Sequence, residues 1–362
     1  MIPMSRPTFG REEESAVLDV MRSGQFAQGE RVGEFERAFA SATGAEFAVA
    51  TSSGTAALFL ALLAHGVGRG DEVLTSPLTF IATANAIVHA GAVPVFADVD
   101  DSLGLSVASV AGLIGPRTRA VVPVHLHGNP CDLSALTELA ESHGLVVIQD
   151  ACQAVGAEVA GRRLGCHSTA VYSFYATKNL TTGEGGMVTT NDPQVAELCA
   201  ALRHQSYAGP AYVHDRVGYN FRMTELQAAI GLVQVGRLAA ITERRRRIAS
   251  YYDETIVADR FARPATRPDA CHVYHQYTLR LPTENGGARQ ERDRIRASLA
   301  QAGVATGVYY PVPVHRQPAY APYSASRCPN SERASDDMFS IPVHHALSDA
   351  EVETVAQALA AL

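Results

Sequence analysis

No C-x-x-C pair occurs in this chain, and its six cysteines (Cys131, Cys152, Cys166, Cys199, Cys271 and Cys328) lie far apart. That spacing excludes a zinc ribbon, gives no disulfide framework, and fits reduced thiols in a cytoplasm. The stretch MIPMSRPTFGREEES has no apolar h-region, and the most apolar long run, Phe80 to Ala97, is broken by Asn85, His89, Gly91 and Pro94. Neither a signal peptide nor a membrane span is therefore expected, and the chain reads as cytoplasmic. Positive charge is in deficit: the formal net charge of -7 argues against a general affinity for nucleic acid, which needs a basic surface to displace phosphate counterions. Phosphate loops of the G-x-x-x-x-G-K-[ST] kind are absent, and GVGRGD (66–71) does not make G-x-G-x-x-G, so nucleotide hydrolysis and dinucleotide binding lack their motifs. Repeats of 20–50 residues and low-complexity linkers are also missing.

The chain does have 47% hydrophobic and 19% charged residues, the composition of a soluble globular protein, and its 362 residues suit two domains. Strand-like segments at 47–50, 72–76, 94–98, 120–125 and 145–150 alternate with helix-like segments at 11–22, 30–42, 55–65, 79–90 and 132–143. Such alternation predicts crossover units and an α/β fold with a mostly parallel central sheet flanked by helices. Near residue 236 a long amphipathic helix, LAAITERRRRIASYYDETI, leads into a Pro- and Tyr-rich third with a strand-like segment at 275–281 and a helix-like one at 291–303. The domains are accordingly expected at 1–236 and 237–362, the second a smaller α+β unit. The run Arg244 to Arg247 reads as a solvated helix face.

Three places could carry chemistry. In VATSSGTAALFLALL a strand passes through a Ser/Gly/Thr turn into a helix, which puts the N–H groups of Gly54 and Thr55 where a helix N-terminus holds phosphate; taken alone, the turn reads first as a helix cap made by Ser53 or Thr55. Asp150 ends the apolar run LVVIQD at a strand's carboxyl edge, as a ligand-binding acid or as a cap, with Gln153 one turn on. In SFYATKNLTTGEGG, Lys178 stands in an almost uncharged run, where a sheltered amine acquires a lowered pKa and nucleophilic character. Together these are the protein parts that pyridoxal 5′-phosphate requires: Lys178 as Schiff-base lysine, Asp150 on the pyridine nitrogen, and Ser173 with Thr55 on the phosphate. The pairs His125 with His127, His272 with His275, and His344 with His345 lack a Cys or carboxylate at ligand spacing, so no metal is expected.

These blocks, with SGQFAQGERVGEFERAFA, TFIATANAI, PVHLHGNPCDL, GYNFRMTELQAA and YYPVPVHRQPAY, resemble the DegT/StrS family of fold type I pyridoxal-phosphate enzymes, aminotransferases of nucleotide-linked keto sugars. The resemblance spans nearly the whole chain. It implies Lys178 and Asp150 in the roles above, Gln153 on the cofactor's ring hydroxyl, Phe80 stacked on the ring, and Gly54, Thr55 and Ser173 on the phosphate. Asn220 would reach the phosphate of a neighbouring subunit, implying a homodimer with shared sites. Tyr309, Tyr310 and His315 would border the substrate. The implied reaction moves an amino group from glutamate or glutamine to a nucleotide-linked keto-deoxysugar by a ping-pong route. Rival readings are aminotransfer to a cyclitol ketone, a pyridoxal-phosphate sugar dehydratase, and a non-catalytic regulator. A branch of the family with histidine in place of the lysine removes a hydroxyl; this chain keeps Lys178. No arginine follows the lysine closely enough to bind phosphate, and none is evident for a donor carboxylate.

Overall fold

The computed structural model describes residues 1–207, 212–256, 260–282 and 287–362. Its centre is a seven-stranded sheet of β1 (Phe47–Thr51), β2 (Glu72–Thr75), β3 (Val93–Phe96), β4 (Thr118–Val122), β5 (Val146–Asp150), β6 (Thr169–Ser173) and β7 (Gly186–Thr190). The spatial order is β1-β7-β6-β5-β4-β2-β3. Only β7 runs against the rest, pairing antiparallel with both β1 and β6. The other neighbours pair in parallel, as the alternating pattern requires of strands joined by helical crossovers. Because these strands are covered on both faces, they read as apolar runs with little alternation; β4 and β5 bury their last three and last four residues.

One face packs against a cluster containing Phe35, Phe39, Tyr172 and Phe174, the other against Leu58, Leu60, Ala61 and Leu62 of helix Gly54–Ala64. A third cluster, with Ile248, Tyr252, Phe261, Leu299, Phe339 and Val355, belongs to the C-terminal part. There a short antiparallel pair, β8 (Tyr277–Arg280) with β9 (Met338–Ile341), packs with helices Ala288–Gln301 and Asp349–Ala360. Helix Glu225–Thr255 serves both: Ala228 and Leu238 enter the first cluster, Ile248 and Tyr252 the third.

Element ends differ from the sequence expectation for identifiable reasons. The long helix begins thirteen residues earlier than read, at Glu225, where Thr224 and Gln227 form a reciprocal capping box. Helix 79–90 begins only at Ala82, since Ser76 Oγ accepts from Leu78 N and holds the chain in a turn. The arginine run is not uniformly solvated: Arg245 is 3% exposed and donates from Nη1 to the carbonyls of Tyr274 (2.9 Å) and His275 (3.4 Å). A four-residue run must cover more than one helix face at 100° per residue, so one member turns inward.

Two glycines fix how closely the helix-bearing turn approaches the sheet. A Cβ on Gly186 would lie 2.4 Å from the carbonyl of Ser53, and one on Gly54 would lie 2.8 Å from Ser173 Cβ. Gly186→Ala is expected to lower the stability of the cofactor-free protein by more than about 2 kcal/mol through this overlap. Gly236→Ala, in an exposed stretch of the long helix with nothing within 4 Å, is expected to raise it by about 0.5–1 kcal/mol. Urea midpoints of the two variants would check both signs.

Candidate active site

Because β1, β2, β5 and β6 run the same way, their carboxyl ends share one edge, and a cavity of about 610 Å³ opens there. Its wall brings together Gly54 and Thr55 after β1, Phe80 after β2, Asp150 at the end of β5 with Gln153 beyond it, and Ser173 at the end of β6 with Lys178 beyond it. Tyr309 and Tyr310 join them from the C-terminal part. Two expected site residues are not on this wall. Asn220 is exposed on the segment that bridges back to His204, away from this chain's own cavity. His315 is 1% exposed, with Nε2 2.9 Å from Glu332 Oε1 and its ring 6.2 Å from that of Phe96, so within the chain it packs behind the site.

Lys178 carries the principal electrostatic feature. Burial lowers its pKa, opposed by the Asp150 charge. The groups that Asp150 accepts from are neutral: Thr83 Oγ1 donates to Oδ2 (2.7 Å), the Cys152 N–H to Oδ1 (3.1 Å), and the Cys152 thiol lies in hydrogen-bonding reach. Asp150 therefore sits in the sheet edge, 5% exposed, held in place but still able to accept a further hydrogen bond. Cys152, between it and Lys178, has its thiol pushed up by burial and by the Asp150 charge, which makes it a neutral neighbour.

The turn after β1 has both features weighed in the sequence. Ser53 is the N-cap, its Oγ accepting from Ala56 N (3.2 Å). That leaves the N–H groups of Gly54 and Thr55 at the terminus of an eleven-residue helix, beside Ser173, in the cavity wall. The glycine-rich stretch after Lys178 is accounted for by backbone geometry: Gly183 and Gly185 have φ of 82° and 156°, and Gly186 leaves room for Ser53.

Gln153 is oriented by its partners. The His127 N–H, a donor, is 2.7 Å from Oε1, so the amide NH₂ points toward Tyr310, whose hydroxyl accepts at 3.1 Å. One amide hydrogen remains for a ligand. Phe80 is 55% exposed at the cavity, its ring 5.9 Å from that of Tyr310. A bare aromatic face, an unpaired, half-buried amine, a carboxylate with free lone pairs and a helix N-terminus beside a serine hydroxyl fit a flat, phosphorylated pyridine aldehyde.

Sequence reasoning missed Thr83, Cys152, Tyr175 and His275 on this wall. Thr83 was readable in part, since TFIAT places it one helical turn after Thr79. His275 comes from a distant segment and reaches the site through Asn179, whose Oδ1 lies 3.3 Å from its Nδ1. The six histidines weighed as metal ligands are dispersed in other bonds, such as His127 to the Tyr309 carbonyl (3.0 Å) and His344 to that of Pro3 (3.1 Å). Among the described residues no group of three His, Cys, Asp or Glu is placed to hold a metal.

The lowered lysine pKa predicts a pH-dependent stability. Below the ordinary lysine value of about 10.4 the unfolded chain holds the Lys178 proton more firmly than the folded one, so stability rises with pH across the gap between the two pKa values. In the cofactor-free protein Lys178→Met should raise the melting temperature near neutral pH. The advantage should shrink as pH approaches 10, which melting curves at a series of pH values would read.

Known proteins carry the same framework. The sequence profile of the DegT/DnrJ/EryC1/StrS aminotransferase family matches residues 7–360. The spore coat polysaccharide biosynthesis protein SpsC of Bacillus subtilis is 39% identical, over 99% of this chain and 96% of its own length. GDP-perosamine synthase of Caulobacter vibrioides is 37% identical over 99% and 97%. The crystal structure of DesV from S. venezuelae, in complex with a ketimine intermediate, superposes with a TM-score of 0.91 at 37% identity, covering 96% of this chain and 93% of that one. With this fold and this site, the chain belongs to the DegT/DnrJ/EryC1/StrS aminotransferase family, and is a sugar aminotransferase whose cofactor is pyridoxal 5′-phosphate.

Proposed function

We propose that this enzyme moves an amino group from glutamate, or glutamine, to a nucleotide-linked keto-deoxysugar in two half-reactions, as a cytoplasmic homodimer with shared active sites. The observation that carries the reading is Lys178, a half-buried amine whose pKa desolvation lowers, in the same cavity as Asp150 and the helix N-terminus at Gly54. The naming of a similar protein as GDP-perosamine synthase supports a nucleotide-linked sugar. When bound, the cofactor supplies a carbonyl carbon that takes up amines and a ring that accepts the electrons of a breaking Cα–H bond.

The residues divide the remaining work. Gly54 and Thr55 N–H groups and the Ser173 hydroxyl bind the phosphate, and Asp150 pairs with the ring nitrogen. Gln153 gives its free amide hydrogen to the ring hydroxyl, and Phe80 covers the ring face. Lys178 Nζ, neutral more readily because it is buried, takes the proton from the donor's Cα and returns it on the other side of the exchange. Tyr309 and Tyr310 border the sugar. Asn220, exposed and outside this chain's cavity, would complete a neighbouring subunit's phosphate site. His315 supports the sugar side from behind, through the segment that carries Tyr309 and Tyr310.

Lys178 also separates this reading from the dehydratase, which dispenses with the lysine. The loaded protein should show a band near roughly 410–430 nm that moves toward the near-ultraviolet on adding glutamate. Lys178→Ala should lose multiple turnover. Amine transfer to a nucleotide-linked 4-keto or 3-keto hexose, but not to a keto-inositol assayed beside it, is the expected outcome. Transfer to the keto-inositol alone, or loss of the C3 hydroxyl, would replace the reading with one of its rivals.

A further inference from the structure

Resting on the cofactor assignment above, we propose that Thr83 is the positioning residue for Asp150, and that Thr79 and Thr83 form a directed hydroxyl pair holding that carboxylate ready for the ring nitrogen. Both hydroxyls are buried, at 2% and 1% residue exposure. Thr83 Oγ1 lies 2.7 Å from Asp150 Oδ2, 3.2 Å from the Phe80 carbonyl and 2.9 Å from Thr79 Oγ1. A hydroxyl has one hydrogen to give. Of the acceptors in reach, the carboxylate oxygen is both nearest and charged, and a bond to it is the stronger one. With the Thr83 hydrogen spent there, the Thr79 hydroxyl can bond Thr83 only as donor, so the direction runs from Thr79 through Thr83 to Oδ2.

The rest of the carboxylate's surroundings explain why this pair matters. Asp150 is fixed at its backbone by bonds to Pro123 and His125 on the segment after β4. Its Oδ1 takes the Cys152 N–H, and Thr83 Oγ1 gives the hydroxyl bond to Oδ2. His125, whose backbone N–H meets the Asp150 carbonyl, is pushed down to about 4 by burial and brings no cation. Two threonines four residues apart, at the entry of helix Ala82–His89, therefore set the second oxygen. A carboxylate held at both oxygens keeps its remaining lone pairs aimed along one line.

The test compares Thr83→Val, which keeps the shape and removes the hydroxyl, with Thr83→Ser and Thr79→Val in the full chain. Each protein is stripped of cofactor and titrated with pyridoxal 5′-phosphate, and the visible band of each loaded protein is then titrated with pH. Thr83→Val should weaken cofactor affinity about tenfold, the worth of one hydrogen bond to a charged group. It should also move the pH midpoint of the band upward, because a ring nitrogen less firmly paired carries less positive charge to oppose protonation at the lysine-linked nitrogen. Thr83→Ser should restore both quantities, and Thr79→Val should move them in the same direction by less. A merely structural role would lower the melting temperature without moving the midpoint. Affinity within about twofold of the parent with an unmoved midpoint in Thr83→Val would overturn the proposal. So would a Thr83→Ser protein that behaves as Thr83→Val does. If Thr83→Val does not fold, Thr79→Val decides, an unmoved midpoint overturning the proposal. A parent protein that binds no cofactor would instead overturn the cofactor assignment itself, before any variant is compared.

Discussion

The site depends on one close approach of backbone to backbone, the Ser53–Gly54 turn against the start of β7 at Gly186. Neither position tolerates a Cβ: the nearest atoms would be a main-chain carbonyl at one and Ser173 at the other, and main chain cannot rotate out of the way. The contact brings the N-terminus of helix Gly54–Ala64 to the edge where β6 delivers Ser173, and five residues further on Lys178. β7 is the sheet's antiparallel member. Its strand reverses the chain after the lysine loop, so the loop must close over the same edge that the parallel strands open. Loosening that contact would separate the phosphate end of the cavity from its amine.

Charge is the second constraint. The cavity wall contains Lys178, Asp150 and Glu184 as its charged side chains and no arginine. A phosphate entering it meets oriented N–H groups and hydroxyls, which are already fixed and need not be desolvated as an arginine would. The histidines close by add no competing charge: burial pushes His125 and His127 down to about 4 and His275 well below its usual range. Lys178 thus stays the amine whose proton can move, while the imidazoles act as hydrogen-bonding walls.

Much of this was legible in the sequence, for reasons that separate local from tertiary information. Five of the seven sheet strands, the Gly54 turn and Asp150 at a strand end are local patterns of periodicity and capping, and lie within a few residues of where they were read, while the antiparallel strand Gly186–Thr190 was not read at all. The start of the long helix was also written locally, in the capping box Thr224 to Gln227, and was passed over because the amphipathic signal begins later. Thr83, Arg245 and His275 were beyond such reading. Thr83 matters through Asp150, 67 residues away, and Arg245 through the carbonyls of Tyr274 and His275, about 30 residues away. His275 is held by Asn179, 96 residues away. No spacing rule links those positions, since packing alone makes them neighbours.

The division of the cavity between the two parts of the chain follows from that packing. Lys178, Asp150, Ser173 and the helix terminus rise from the sheet, whose strands are locked on both faces. Tyr309, Tyr310, His275 and Gln276 come from the C-terminal part, and Met4 and Ser5 from the N-terminal segment tied to it through the Ile2 bridge to Val304 and the Pro3 bond to His344. Arg245, on the helix Glu225–Thr255 that the two parts share, grips the turn that carries His275, where Tyr274 has a φ of 47°. Asp150, Ser173 and the helix terminus at Gly54 are thereby placed on the rigid layer. Tyr309, Tyr310, His275 and Gln276 lie on loops, where substitutions change the shape of the wall without disturbing the lysine or the carboxylate. A change of sugar preference should accordingly be sought on the 274–276 and 309–310 walls before it is sought at the sheet edge.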